Sequence, residues 1–342
     1  MRVLITGLCG FIGHHVAEHL LHHTDWELIG LDRIDATSTL HRLKSIPDWE
    51  RLASRVRFVW HDLRAPINES VDRQIGHVDV LIHMAASTHV DRSIADPLMF
   101  VQDNVVGTAH LLDWWRKQSG HRLSARPLGQ GHNRPMVHFS TDEVFGPAEG
   151  DYFFKEWDRY KSASPYSATK AGAEELCCAF SNTYKLRIAI VRVMNVIGER
   201  QHPEKFVPNT LSKLLRGEEI LIHANQDCST IGTRYYLHAS NVARALYWLI
   251  NRRDSWPLFD KWNLSGEREV SNLEMAQLLA KYADRPLRHR LVDSDQLRPG
   301  HDLRYAIDGT KLRQAGFTYP LNFEQSLRRI AQWTLAHPEW LL

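Results

Sequence analysis

At 342 residues, 43% apolar and 24% charged, the chain is long enough to bury a core, and its composition excludes a mainly disordered protein. A formal charge of +2 gives no global electrostatic reason to bind nucleic acid or a membrane surface, and it is compatible with a local basic patch for a phosphate-bearing ligand. The stretch 188–197 is interrupted by Arg192 and Asn195 and is too short to cross a bilayer core of about 30 Å.

The opening Met1-Arg2-Val3-Leu4-Ile5-Thr6-Gly7 reads as a strand rather than a signal peptide, because glycine punctuation follows at once without a cleavage pattern. The expected setting is cytoplasmic. Cys9, Cys177, Cys178 and Cys228 have neither zinc spacing nor a Cys-x-x-Cys pair and read as reduced thiols, with the adjacent pair on a helix.

Gly7-Leu8-Cys9-Gly10-Phe11-Ile12-Gly13 follows that strand and opens a helix carrying Val16, Leu20 and Leu21 at helical spacing. In this context Gly7 permits the turn, Gly10 lets backbone approach a pyrophosphate, and Gly13 lets helix and strand pack closely. The amides of Phe11 and Ile12 fall at the helix start, where anions bind. Taken alone, the glycines are also compatible with an ordinary tight turn. His14-His15 and His22-His23 are expected on exposed faces of this helix, with no metal site.

Strands are expected at 27–32, 56–60, 78–83 and 136–140, alternating with helical stretches such as 104–116. This rhythm predicts an α/β, Rossmann-type doubly wound parallel sheet. Asp32 ends the second strand about 20 residues beyond the glycines, where a carboxylate accepts bonds from an adenosine ribose and repels a 2′-phosphate. NAD is therefore expected over NADP. Arg33 is either a solvated strand-end residue or a reader of that phosphate. Asp62-Leu63 and Met84-Ala85-Ala86-Ser87 fall at strand ends on the same ligand-binding edge. Residues 118–135 are polar, rich in Gly, Pro, His and Arg, and read as a surface loop.

Ser140-Thr141-Asp142-Glu143 ends the strand at 136–140. Thr141 can bond a substrate hydroxyl, and adjacent carboxyls can divide acid and base roles, although an isolated Asp-Glu is usually a solvated turn. Tyr166-Ser167-Ala168-Thr169-Lys170 places a phenol and an ammonium four residues apart on one helix face, Pro165 starting the helix. The cation stabilises a phenolate, making Tyr166 a base for a hydroxyl whose carbon loses hydride. A surface pair has the same spacing, but the cofactor pattern upstream favours the chemical reading.

A further buried strand is expected at 185–195, after which Pro203, Pro208, Pro257, Pro286, Pro299 and Pro320 break the alternation. The domains expected are a nucleotide-binding part over 1–194, joined by about 234–260, and a smaller C-terminal α/β substrate lobe over 195–342. Helices are expected at 241–251, 273–282 and 323–334.

Together the glycine loop, Ala85-Ala86-Ser87-Thr88-His89-Val90-Asp91-Arg92-Ser93, residues 140–146, the Tyr166 block, Pro203-Glu204-Lys205-Phe206-Val207-Pro208 and Arg298-Pro299-Gly300-His301-Asp302 resemble an extended short-chain dehydrogenase/reductase. Within that superfamily the chain is most similar to the dTDP-glucose 4,6-dehydratase group. The resemblance implies that Tyr166 deprotonates a C4 hydroxyl as NAD⁺ takes hydride, Lys170 and Thr141 assisting. It further implies that Glu143 removes the C5 proton, that Asp142 protonates the departing C6 hydroxyl, and that the product is a 4-keto-6-deoxy sugar. Thr88, His89, Asn195, Lys205, Phe206, Val207, Pro208, Asn209, Arg234, Asn263, Arg298 and His301 would line the nucleotide-sugar site, and a homodimer would form through helices 104–116 and 167–184.

Departures bear on the substrate. Ser87 stands where the group carries an acidic residue, Phe145 where tyrosine is common, and 195–200 and 224–236 lack the usual signatures. A 4-epimerase or 5,6-dehydratase of the same superfamily remains an alternative, as does a non-catalytic NAD-binding regulator, against which the five intact site residues argue.

Overall fold

The computed structural model describes residues 1–35, 37–119, 134–293 and 303–341. Short apolar runs pair into one sheet from Arg2–Thr6 (β1), Glu27–Asp32 (β2), Val56–Trp60 (β3), Val80–His83 (β4), Met136–Thr141 (β5), Ile188–Val193 (β6) and Phe259–Leu264 (β7). Their order is β7-β6-β5-β4-β1-β2-β3. β1 is central and parallel to both neighbours, Val3 lying opposite Leu28 on one side and Val80 on the other. The β2/β3 and β4/β5 pairs are also parallel. Chain order reverses between β1 and β4, which opens a crevice at the carboxyl ends of the strands. Thr6, Asp32, His83 and Thr141 all sit at those ends.

Leu4, Ile29, Leu31, Val59 and Leu81 of the sheet pack with Ile75, Leu111, Leu112 and Trp115 from flanking helices. The helix Phe11–His23 leaves the glycine turn at an extended Gly10. His22 and His23 are exposed as expected, but His14 and His15 are buried. The reason is close packing of the first helical turn on β1: a Cβ at Gly13 would lie 2.2 Å from the Gly7 carbonyl oxygen. The two histidine rings lie tilted by 41° with centroids 4.1 Å apart, and His14 Nδ1 donates to the Gly10 carbonyl at 3.2 Å.

The helix expected at 104–116 is two elements, a wide π turn over Val101–Val106 and an α-helix over Gly107–Gln118. The wide turn points Asp103 and Asn104 inward together, and both are buried. Most of the loop expected at 118–135 lies outside the described residues.

Glu174 lies in the middle of the helix Pro165–Tyr184 and meets Arg192 of β6 in a two-point ion pair, at 2.9 and 2.6 Å. Neither side chain has any solvent exposure. Removing one partner strands the other charge in the interior, so Glu174→Gln is expected to lower unfolding free energy by about 3–5 kcal/mol in chemical denaturation. A loss under about 1 kcal/mol would contradict that assignment.

The chain divides into two compact units. One comprises Met1–Val144, Ser164–Arg192 and Ala243–Trp262, and the other Phe145–Ala163, Val193–Val242 and Asn263–Leu342. The sequence placed the return at about 234; instead Thr233–His238 pairs with Asn195–Ile197 and Glu269–Ser271, which keeps it in the second unit. The strand expected at 185–195 is likewise split between β6 and Asn195–Ile197. Residues 145–163 belong to the second unit although they precede Tyr166.

In that unit Ile220–Ala224 pairs in parallel with His289–Asp293. Its core joins Leu211, Ile222, Met275, Leu279, Leu327 and Ile330. Among the described residues no helix is long and apolar enough to cross a membrane.

Candidate active site

The glycine loop makes a cradle that side chains would fill. Gly7 has φ +73°, and a Cβ there would lie 2.9 Å from the Ala85 amide nitrogen. Gly7 and Gly10 line a cleft together with Asp32, Asp62, Leu63 and Met84–Ser87, while Phe11 and Ile12 occupy the first turn of the adjoining helix. The Asp32 carboxylate accepts from the Cys9 amide at 3.0 Å, the Ile34 amide at 3.0 Å and the Ser38 hydroxyl at 3.1 Å. A dinucleotide fits this donor set: a backbone cradle for pyrophosphate beside a fixed carboxylate for a ribose diol.

The Met84–Ser87 wall is held by residues the sequence reading did not single out. Thr6 Oγ1 accepts from the amides of Met84 and Ala85, both at 3.1 Å. Thr108 donates its proton to the Asn104 carbonyl at 2.6 Å and therefore accepts from His83 Nε2 at 2.9 Å. That fixes the His83 tautomer, so Thr6 donates to His83 Nδ1 at 2.7 Å. Burial pushes His83 down to about 3, and the nearby Lys170 charge acts the same way, keeping the ring neutral. Asn104 secures the far end of the wall by accepting from the Ser87 amide at 2.8 Å and donating to its carbonyl at 3.0 Å and to Thr169 at 2.9 Å.

Tyr166 occupies the first turn of a helix with a Ser164/Ser167 capping box and Pro165 at its start. Lys170 follows one turn later. Both are buried, and Lys170 Nζ donates to the Phe139 carbonyl of β5 at 2.7 Å, tying the helix to the strand that ends in Thr141. Thr141 donates to Asp142 Oδ1 at 3.0 Å, and its hydroxyl oxygen accepts from the Glu143 amide at 3.3 Å.

Both carboxylates lie close enough to the phenol to act on it electrostatically. Burial pushes the Tyr166 hydroxyl well above its usual range and Glu143 adds to this; a hydrogen bond with Thr141 opposes it, and Asp142 pushes up again. Burial pushes Lys170 down to about 8, partly offset by Glu174. Thr141, Asp142, Tyr166 and Lys170 are buried and Glu143 half-buried, all in the first unit, and Thr141, Asp142 and Glu143 act on the Tyr166 phenol.

Of the residues assigned to the sugar nucleotide, Thr88 is exposed, and His89 caps the helix Val90–Ala95 with its ring 4.0 Å from Asp91. In the second unit Asn195 donates to the Tyr235 carbonyl at 3.3 Å, and Lys205 caps the helix Phe206–Arg216. On that helix Phe206 and Asn209 are half-buried, whereas Val207 and Pro208 are buried, Val207 in the apolar core. Arg234 donates to the Thr233 and Leu303 carbonyls and stacks on Tyr305. Asn263 is fully buried, donating to the Phe154 carbonyl at 3.0 Å. Arg298 and His301 lie outside the described residues.

A phenol and ammonium set for redox chemistry, coupled to carboxylates on the next strand end, place the chain among the extended short-chain dehydrogenase/reductases. The sequence profile described as GDP-mannose 4,6 dehydratase matches residues 4–330, and the chain belongs to that family. It is 31% identical to the dTDP-glucose 4,6-dehydratase of Shigella flexneri over 356 residues, covering 100% of this chain and 94% of that protein. Among solved structures it resembles a dTDP-glucose 4,6-dehydratase from Streptomyces venezuelae with NAD bound, at TM-score 0.84 and 30% identity over 99% of this chain and 98% of that one. The UDP-glucose 4-epimerase of Thermus thermophilus, solved with NAD, also superposes at TM-score 0.84, with 25% identity over 98% of this chain and 100% of that one.

Proposed function

We propose that the chain is an NAD-dependent nucleotide-sugar 4,6-dehydratase that converts an NDP-hexose to its 4-keto-6-deoxy product. The observation that carries this reading is the pair of carboxylates, Asp142 and Glu143, directly after Thr141 at the carboxyl end of β5, Asp142 taking a hydrogen bond from Thr141. Gly7, Gly10, Gly13, Asp32, Asp62, Leu63 and the Met84–Ser87 wall hold the cofactor. When bound, NAD⁺ would supply the reversible hydride acceptor that redox chemistry between sugar C4 and C6 requires.

Tyr166 takes the C4 hydroxyl proton as a phenolate, the form that the Lys170 cation and the Thr141 hydroxyl stabilise before the transfer. The C4 ketone acidifies C5–H, and Glu143, the more open of the two acids, removes that proton. Asp142 is buried and takes a hydrogen bond from Thr141. In its protonated form it gives its proton to the C6 hydroxyl, which leaves as water. Glu143 gives its proton back to C5 as hydride returns to C6, and the proton left on Tyr166 offsets the one Asp142 lost. A 4-epimerase needs the phenol, ammonium and hydroxyl but neither carboxylate, so the acidic pair favours elimination.

The assignment of Thr88, His89, Asn195, Lys205–Asn209, Arg234, Asn263, Arg298 and His301 to the sugar nucleotide rests on family resemblance and belongs to the same proposal. So does a homodimer through the helices Gly107–Gln118 and Pro165–Tyr184, the second of which carries half-buried Leu176, Phe180 and Tyr184; a monomer mass in sedimentation would remove it. A cytoplasmic setting is proposed because a reducing compartment keeps the adjacent Cys177 and Cys178 as thiols.

Incubating the chain with dTDP-, UDP-, GDP- and CDP-hexoses and weighing the products tests the reaction and names the donor. Loss of one water without net NADH supports the proposal, and an isomer of unchanged mass from every donor overturns it.

A further inference from the structure

Arg33 directly follows Asp32 at the carboxyl end of β2, the place from which an arginine meets the 2′-phosphate of NADP. Sequence leaves its role open, since the neighbouring carboxylate favours NAD while a guanidinium there favours NADP. The geometry decides by what holds the guanidinium. Arg33 Nη1 donates to Asp103 Oδ1 at 2.7 Å, Nη2 donates to Asp103 Oδ2 at 2.9 Å, and Nε donates to Asp35 at 3.1 Å. Both flat edges of the fork are therefore occupied by carboxylates.

Asp103 comes from the π turn 70 residues away, is only 8% exposed, and is itself oriented by the Ser87 hydroxyl, which donates to Oδ2 at 2.6 Å. The contact also holds the Arg33 guanidinium above its ordinary pKa, so its charge is permanent and already neutralised. Around it the cleft lining gathers four carboxylates, Asp32, Asp35, Asp62 and Asp103, against two guanidiniums, Arg33 and Arg64. Among the described residues of that lining, a ligand with an extra phosphate meets excess negative charge and no free cation.

We infer that Asp103 is a cofactor-specificity residue, which makes the cleft select NAD over NADP by occupying the edge of Arg33 that would otherwise bind a 2′-phosphate. The inference rests on the proposal that this cleft holds a dinucleotide. Asp32 contributes repulsion but also anchors the turn through the Cys9 and Ile34 amides, so its replacement disturbs the cradle. Asp103 carries the tunable part of the discrimination. Ser87, the departure from the family's acidic residue, positions it.

The test is calorimetric titration of the full-length chain, stripped of bound nucleotide, with NAD⁺ and with NADP⁺. Wild type is expected to bind NAD⁺ at least about 100-fold more tightly. Asp103→Asn frees the Nη edge and is expected to tighten NADP⁺ at least about tenfold while moving NAD⁺ less than about threefold. Asp103→Ser, which keeps a hydroxyl for Ser87, is the second release variant and is expected to behave the same way. Adding Arg33→Ala to either variant should cancel the gain. An NADP⁺ affinity unmoved in both variants, or a gain that survives without Arg33, overturns the role given to Asp103. Failure of the wild-type chain to bind NAD⁺ overturns the dinucleotide reading itself, a separate outcome.

Discussion

Tyr166→Phe is expected to lower kcat by about 10²–10⁴-fold while leaving NAD⁺ affinity within about threefold, because the substitution removes only the oxygen that accepts the sugar proton. The ring stays packed edge-on against Phe100, and the helix cap does not depend on the hydroxyl. In the resting site the phenol is held protonated by burial first and by Glu143 next. It becomes a base only where positive charge is close, and the proposal gives that role to Lys170, one helical turn further on. Burial lowers Lys170 to about 8. Its cation is complete below that pH and is lost as pH rises through it, so kcat/KM should fall on the alkaline side near pH 8. Lys170→Met should lose most activity together with that limb. Ordinary turnover in Tyr166→Phe, measured by product formation under saturating cofactor, would remove the phenol from the chemistry.

The second large effect separates oxidation from elimination. Asp142→Asn combined with Glu143→Gln keeps the shapes of both side chains but leaves no carboxylate to take the C5 proton and no acid for the C6 hydroxyl. Both anions currently push the phenol upward, so removing them does not hinder the first proton transfer. The double variant is expected to bind NAD⁺, to accumulate NADH and a 4-keto hexose that retains its C6 oxygen, and to lose water at least about 100-fold more slowly than wild type. Water loss at the wild-type rate would refute the roles given to these carboxyls.

The parts of the site legible in the sequence are those built from short segments with local geometry. Gly7–Gly13 declares its strand-turn-helix context within a dozen residues, and Tyr166 and Lys170 are bound to one helix face by the helical repeat alone. Thr141–Glu143 falls at a strand end that alternation of apolar runs already located. What escaped the reading depends on contacts between distant segments. Nothing near Arg33 signals that Asp103, 70 residues on, takes its fork, and a π turn that turns Asp103 and Asn104 inward together has no periodic signature.

His14 and His15 read as exposed because polar rings normally face water, yet close packing after Gly13 buries that turn on every side. The Thr6–His83–Thr108 chain was invisible for the same reason, since its members come from three separate elements. In the second unit Val207 and Asn263 match family motif positions, and the contacts they make, Val207 in the apolar core and the Asn263 amide on the Phe154 carbonyl, join segments distant in sequence.

The most direct measurement uses an NDP-hexose carrying deuterium at C4, with mass and position of label read in the product. Convergence of the phenol, the ammonium, the hydroxyl and both acids on one sugar predicts a 4-keto product lighter by one water, deuterium transferred to C6, and no NADH left in solution. Deuterium retained at C4 of an intact hexose, or released with stoichiometric NADH, would contradict it.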